Sequence, residues 1–178
     1  MRRPAAVAVS VAWGVVVGGA FGCLLPYVLG EWHFHRPLPY WAAAQAAGGL
    51  LIGAGLVPIV VSFIEFARAD GTPVPVASPP RLVVSGFYRY VRNPIYVGFL
   101  IILIGQTLLF GTLGLVKYTA AACVVGVAAV RCYEQPKLAG KFGAEYEACR
   151  RAVPAWIPRL HPRTPGEPTA PGAHDGAK

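Results

Sequence analysis

At 178 residues the chain has the length of one domain, but 55% of it is hydrophobic and only 13% is charged, against about 25% charged residues in a soluble domain. With a mean hydropathy of +0.51, this excludes an ordinary soluble globule and indicates a membrane protein. The net charge of +8 would suit nucleic acid, yet the basic residues flank apolar runs and do not gather in one patch or tail; anionic membrane lipids are the expected partner and nucleic acid is not.

In chain order, the first apolar stretch runs from about Ala5 to Leu29, preceded by Met1-Arg2-Arg3 and interrupted by Pro26. It is too long for the hydrophobic region of a signal peptide and has no clear small-residue cleavage site, so it reads as a true span. The second stretch covers about Trp41 to Phe66, with Pro58 as an expected kink. The third runs from Pro94 to Phe110 and the fourth from Leu113 to Val130, with only Gly111-Thr112 between them. The expected fold is all-α: a polytopic membrane bundle of about four transmembrane helices plus a C-terminal amphipathic helix.

Orientation follows from lysine and arginine around the short loops. Arg2 and Arg3 precede span one; Arg68, Arg81, Arg89 and Arg92 lie between spans two and three; Arg131, Lys137, Lys141, Arg150 and Arg151 follow span four. These regions are expected on the cytoplasmic side, with both termini inside. The loop at 31–40 carries only Arg36, and the turn after span three only Lys117, which places both on the far side.

Several smaller patterns have structural readings. Gly14, Gly18 and Gly22 recur at four-residue spacing, as do Gly49 and Gly53, marking small-residue faces for helix packing. Cys23 and Cys123 fall within spans, Cys132 and Cys149 on the cytoplasmic side; without metal-type spacing they are small apolar filler. His33 and His35 flank Phe34 beyond Glu31, but two loop histidines and one carboxylate make a poor site, and no metal is expected. Glu65 and Arg68 read as an interfacial ion pair, with substrate contact as the alternative. From Arg159 onward the chain lacks the apolar bulk to offset ordering entropy and is expected to be a disordered tail.

The densest signal is Gly86-Phe87-Tyr88-Arg89-Tyr90-Val91-Arg92-Asn93-Pro94-Ile95-Tyr96, set directly against span three. Arginines and tyrosines are costly beside hydrocarbon, so such a segment belongs at the membrane surface. Pro94 suits the first helical position and Asn93 the N-cap before it, leaving amide groups at the helix start that attract a carboxylate or phosphate, with Arg92 adding a full positive charge. Equally open on composition is that Arg89 and Arg92 grip lipid phosphates while Tyr88, Tyr90 and Tyr96 form an aromatic belt.

A second polar cluster, Arg131-Cys132-Tyr133-Glu134-Gln135-Pro136-Lys137-Leu138, stands where span four leaves the membrane. Glu134 runs against the positive charge trend of that face and is expected at the depth and face of Arg92. Beyond Pro136, Leu138, Phe142, Tyr146, Cys149 and Val153 recur at helical spacing, with Lys137, Lys141, Glu147 and Arg151 outside the stripe. That is the pattern of an amphipathic helix on or under the bundle. It ends at Val153-Pro154-Ala155-Trp156-Ile157-Pro158, whose tryptophan suits the interface.

Taken together, the Gly86–Tyr96 motif, the Glu134-x-Pro136-x-Leu138 element, Phe142-Gly143-x-Glu145-Tyr146 and Pro154-x-Trp156-Ile157-Pro158 resemble the isoprenylcysteine carboxyl methyltransferase and phospholipid methyltransferase superfamily. The resemblance covers about Gly71 to Leu160, including the loop Gly71-Thr72-Pro73-Val74-Pro75 and Pro79-Pro80, which is similar to a bacterial branch of the group. It implies an integral methyltransferase of a bacterial inner membrane that uses S-adenosyl-L-methionine, with its active site at the cytoplasmic face. Arg92 and Glu134 are the implied catalytic residues, and Tyr88, Arg92, Asn93, Pro94, Tyr96, Glu134 and Leu138 the implied cofactor-binding set. A lipophilic methyl acceptor would enter from the bilayer between spans.

The implied organisation is two N-terminal spans (1–66), a cytoplasmic loop with the start of the cofactor motif (67–93), a methyltransferase core of helical hairpin plus amphipathic helix (94–158), and the tail (159–178). This chain departs from the commoner pattern at Asn93, where the family has His, and at Gln135, where it has a second acid. The first change leaves a capping role and removes an acid/base one; the second removes a negative charge. Both are features of the competing reading, a non-catalytic membrane scaffold or lipid-binding protein that retains the fold.

Overall fold

Long apolar runs punctuated by single glycines and prolines fold into helices, and every regular element among the described residues of this computed structural model is helical. The structure describes residues 14–30, 33–68 and 84–161, with the isolated positions 8, 12 and 82. The expectations for Arg2, Arg3, Glu31, Arg81, the loop at 71–80 and the tail beyond 161 lie outside the described residues.

Helix α1 spans Gly14–Gly30 and contains a π turn at Ala20–Leu24. Helix α2 is Trp41–Arg68. After the 3-10 turn Gly86–Arg89 come α3, Pro94–Phe110, and α4, Leu113–Ala129. A second π turn, Val130–Glu134, leads into α5, Gln135–Ala152. Helix α2 and the continuous rod Leu113–Ala152 are long and apolar enough to cross a membrane; Gly14–Gly30 and Pro94–Phe110 are shorter apolar helices. Leu50, Val57, Val60, Ile104, Val124 and Val125 face outward, an apolar exterior suited to lipid.

The central pair is α2 and α3, packed antiparallel through four glycines. A Cβ at Gly48 would meet the Gly105 carbonyl oxygen at 2.5 Å, and one at Gly55 the Gly98 oxygen at 2.6 Å. Backbones this close require glycine on both sides, as small-residue seams in membranes do. The expected seam at Gly49 and Gly53 is corrected here: both face open space. The register is set by the partner, because Gly98 and Gly105 repeat at the same seven-residue interval as Gly48 and Gly55. In α1, Gly14 meets the Phe63 ring and Gly22 the Phe99 ring, while Gly18 meets nothing.

Pro58 lies inside an unbroken α2. Ser62 Oγ donates to its carbonyl at 2.6 Å. The α2–α3 pair is also tied at its other end, where Trp41 Nε1 donates to Leu108 O at 3.0 Å and Gln45 Nε2 to Leu109 O at 3.2 Å. Helix α3 stops at Gly111, whose φ of 67° and N–H to Thr107 O at 2.9 Å form a left-handed C-cap. A side chain there would strike the His35 carbonyl at 2.8 Å.

Two further expectations change. The amphipathic helix after Pro136 is not a separate element: α4, the π turn and α5 run on as one helix to a break at Gly143, where φ is 50°. Proline is tolerated early in a helical segment because its missing N–H coincides with an already altered bonding pattern. Of the cysteines, only Cys149 is buried filler; Cys23, Cys123 and Cys132 are exposed.

Candidate functional site

Pro94 fixes the start of α3 one residue after a non-helical Asn93, so the aromatic and basic motif folds back over the ends of α2 and α4. Tyr96, in the first turn of α3, rests its ring against Gly126 of α4 at 3.5 Å from the Cβ position. Its hydroxyl donates to Glu134 Oε1 at 2.5 Å, a short charge-assisted bond that joins the start of α3 to the end of α4. On its other side Trp156 packs edge-on at 6.1 Å between centroids.

Tyr88 sits in the 3-10 turn, edge-on to Phe66 at 5.8 Å. Burial pushes its hydroxyl pKa well above the ordinary tyrosine range; a hydrogen bond with Ser62 works against this, and the Glu134 carboxylate adds to it. Glu134 thus stands in contact with Tyr96 and within electrostatic reach of Tyr88. Nearby, Ser85 donates to Glu65 Oε2. The expected pair of Glu65 with Arg68 forms at 3.0 Å, and Gly86, at φ 56°, closes over the Glu65 side chain.

Arg92 and Asn93 are anchored differently from the expectation. Arg92 Nε donates to Val153 O at 2.9 Å and Nη1 to the Tyr146 hydroxyl at 3.2 Å; the guanidinium carbon lies 6.0 Å from the Tyr146 ring centroid. Burial raises the Tyr146 pKa and Arg92 opposes the shift. Asn93 occupies the N-cap position without a side-chain cap; its Nδ2 donates instead to Ala155 O at 3.0 Å. With Arg92 N to Pro154 O at 2.9 Å and Arg159 N to Tyr90 O at 3.0 Å, the segment 153–159 is strapped across the entry to α3. Trp156 belongs to that strap, packed on Tyr96 as well as suited to the interface.

The structure therefore brings Tyr88, Tyr96 and Glu134 together, and joins Arg92 and Asn93 to the strap beside them. Pro94 is buried at the helix start, and Leu138 lies half-buried on α5. Tyr146 and Trp156 were not among the expected binding residues; their signal was their place in the closing motifs. Clefts of about 420 Å³ at 36–42 and about 270 Å³ around His35, Gly111 and Thr112 lie at the opposite end of α3. Among the described residues no group of three His, Cys, Asp or Glu could hold a metal.

Chemically, the arrangement offers one acid and one guanidinium with valences left over. Glu134 Oε2 makes no bond among the described residues, and Arg92 uses two of its five N–H groups. An acid held by Tyr96, a guanidinium held to the strap that packs on the same ring, and the aromatic walls are the groups a zwitterionic amino-acid moiety calls for.

A family model described as phospholipid methyltransferase matches residues 43–145. The chain is 27% identical over 139 residues to methanethiol S-methyltransferase 2 of Bradyrhizobium diazoefficiens, an alignment covering 71% of this chain and 52% of that protein. It is 35% identical over 87 residues to protein-S-isoprenylcysteine O-methyltransferase of Schizosaccharomyces pombe, covering 44% of this chain and 34% of that protein. The chain thus spans about half or less of the length of these curated relatives. No solved structure matches it.

Proposed function

Because the chain belongs to the phospholipid methyltransferase family, whose pattern extends over residues 43–145, we propose that it transfers a methyl group from S-adenosyl-L-methionine to a lipophilic or membrane-delivered acceptor. The observation that carries this reading is the Tyr96–Glu134 bond at 2.5 Å. It sets a carboxylate at the open end of the α3–α4 hairpin, within the family pattern and against the motif that carries Arg92. The donor, when bound, supplies a methyl group already activated on a sulfonium. The protein's task is then alignment and exclusion of water.

Glu134 would take the donor's ammonium or ribose hydroxyls, and Arg92 its carboxylate through the N–H groups not spent on Val153 and Tyr146. Tyr88 and Tyr96 would wall the site, Asn93 and Pro94 fix the helix start, and Leu138 offer an apolar contact. The core of this machinery is 94–158, fed by the loop 67–93 and carried on the spans of 1–66.

Four spans support the reading best. Helices α1 and α3 are at the lower end of the roughly 17–25 residues a bilayer requires, and their apolar composition and antiparallel packing with the two longer helices favour crossing. The distribution of basic residues then supports a site and both termini at the cytoplasmic face. The relatives' names give two different acceptors, a thiol and an isoprenylcysteine; either could be delivered through the bilayer. A second reading, a scaffold that retains the fold, is favoured by the Arg92 and Asn93 donors being used on Val153, Tyr146 and Ala155.

Calorimetry separates the two readings. Full-length protein in detergent should bind S-adenosylhomocysteine saturably, and Glu134→Ala and Arg92→Ala should each abolish binding. Absence of binding by the unaltered protein replaces the enzyme with the scaffold; undiminished binding in both variants removes the site assignment. Membranes supplied with methyl-labelled donor, with the product identified by mass spectrometry, would name the acceptor.

A further inference from the structure

By charge alone, Glu65 is misplaced. It lies in the last turn of α2, where the helix dipole disfavours a negative group, and its side chain is only 12% exposed. Arg68, its ion-pair partner, is 71% exposed, and a pair with so open a cation offsets little of that penalty. An acid kept against local preference points to a task beyond the pair.

The task lies across twenty residues of chain, where Ser85 Oγ donates to Glu65 Oε2. Ser85 holds the N-cap position of the 3-10 turn Gly86–Arg89 without capping it through its side chain. Its hydroxyl goes to Glu65 instead, while its carbonyl accepts from Tyr88 N–H at 3.1 Å. Gly86 permits the close approach: at φ 56°, a Cβ there would stand 3.1 Å from Glu65 Cγ.

What this clasp places is Tyr88. The Tyr88 ring lies edge-on to Phe66 at 5.8 Å, and its hydroxyl is hydrogen-bonded to Ser62. Ser62 is buried and itself donates to Pro58 O at 2.6 Å. Ser62, Glu65 and Phe66 share one face of α2 at i, i+3 and i+4. Two of them hold the Tyr88 side chain; Glu65 holds the turn from which it springs.

We propose that Glu65 is a positioning residue: through Ser85 it fixes the 3-10 turn so that Tyr88 stands as a wall of the site. This rests on the proposed methyl-donor reading. Glu65 is assigned no contact with the donor, because its two oxygens are engaged by Arg68 Nη1 at 3.0 Å and by Ser85.

Calorimetry with S-adenosylhomocysteine on full-length protein in detergent tests the assignment. Ser85→Ala and Glu65→Ala should each weaken binding about tenfold, the loss of one charge-assisted bond. Glu65→Gln keeps an acceptor for Ser85 and should bind within about twofold of the unaltered protein. Arg68→Ala removes the ion pair, leaves the Ser85 bond, and should change nothing. Undiminished binding in both Ser85→Ala and Glu65→Ala overturns the proposal. So does a loss in Glu65→Gln or Arg68→Ala as large as in Glu65→Ala, which would make charge the working feature.

A purely structural role is separated by Tyr88→Leu, which removes the wall itself. Adding Glu65→Ala to it should weaken binding no further; an additional loss of about tenfold in the double variant sends the effect of Glu65 elsewhere and overturns the positioning role. Should Glu65→Ala fail to fold, Ser85→Ala, which removes a single oxygen, carries the same comparison with Tyr88→Leu. If the unaltered protein binds no S-adenosylhomocysteine, the methyl-donor reading itself falls and takes the positioning role with it.

Discussion

Tyr96 has two functions that one substitution can separate. Its ring fills the space between Gly126 and Trp156, and its hydroxyl holds Glu134. Tyr96→Phe keeps the packing and frees the carboxylate to move; affinity for S-adenosylhomocysteine should fall about tenfold by calorimetry, with the melting temperature little changed. Tyr88 predicts a pH effect. Its pKa is raised in the fold, so an unfolded tyrosine, titrating near 10.0, gives up its proton first. The stabilisation is whole below about pH 10 and drains away as pH rises above it. Tyr88→Phe should therefore flatten the alkaline limb of a denaturation profile that the unaltered protein shows.

Among the elements, α3 was the most legible, because proline and glycine state its limits: Pro94 opens it and Gly111 closes it at φ 67°. The packing seam was not legible. Gly48 and Gly49 are neighbours in the sequence, and only the spacing of Gly98 and Gly105 on another helix decides between them. Gly55→Ala or Gly98→Ala should force α2 and α3 apart and destabilise by about 1–3 kcal/mol, while Gly49→Ala should be neutral; thermal melts in detergent distinguish them. The π turns were equally hidden, since nothing local in Val130–Glu134 states that an N–H will reach five residues back. In the site, the sequence marked Tyr96 and Glu134 but not their bond. It also could not show that Asn93 would donate to Ala155, a carbonyl that only the folded strap brings near.

For the whole molecule, the proposed topology predicts which thiols water reaches from each side. With Cys23 and Cys123 replaced by Ala, Cys132 should resist a membrane-impermeant maleimide in intact cells and react after permeabilisation. An Arg36→Cys variant with Cys132 also removed should react in intact cells. The reverse pattern would invert the bundle and put the proposed methyl-transfer site on the outer face.

The unbroken passage from α4 into α5 makes the chain a ruler. From Leu113 to Glu134 a helix rises roughly 30 Å, the thickness of a bilayer's hydrocarbon core. In the proposed topology the carboxylate is thus metered from the opposite surface, with no loop to absorb a mismatch. A thicker membrane would draw that charge into hydrocarbon and a thinner one would lift it into water. Methyl transfer in vesicles of graded acyl-chain length should accordingly peak at one thickness and fall on both sides, so that the lipid composition of the membrane tunes the rate without touching the site.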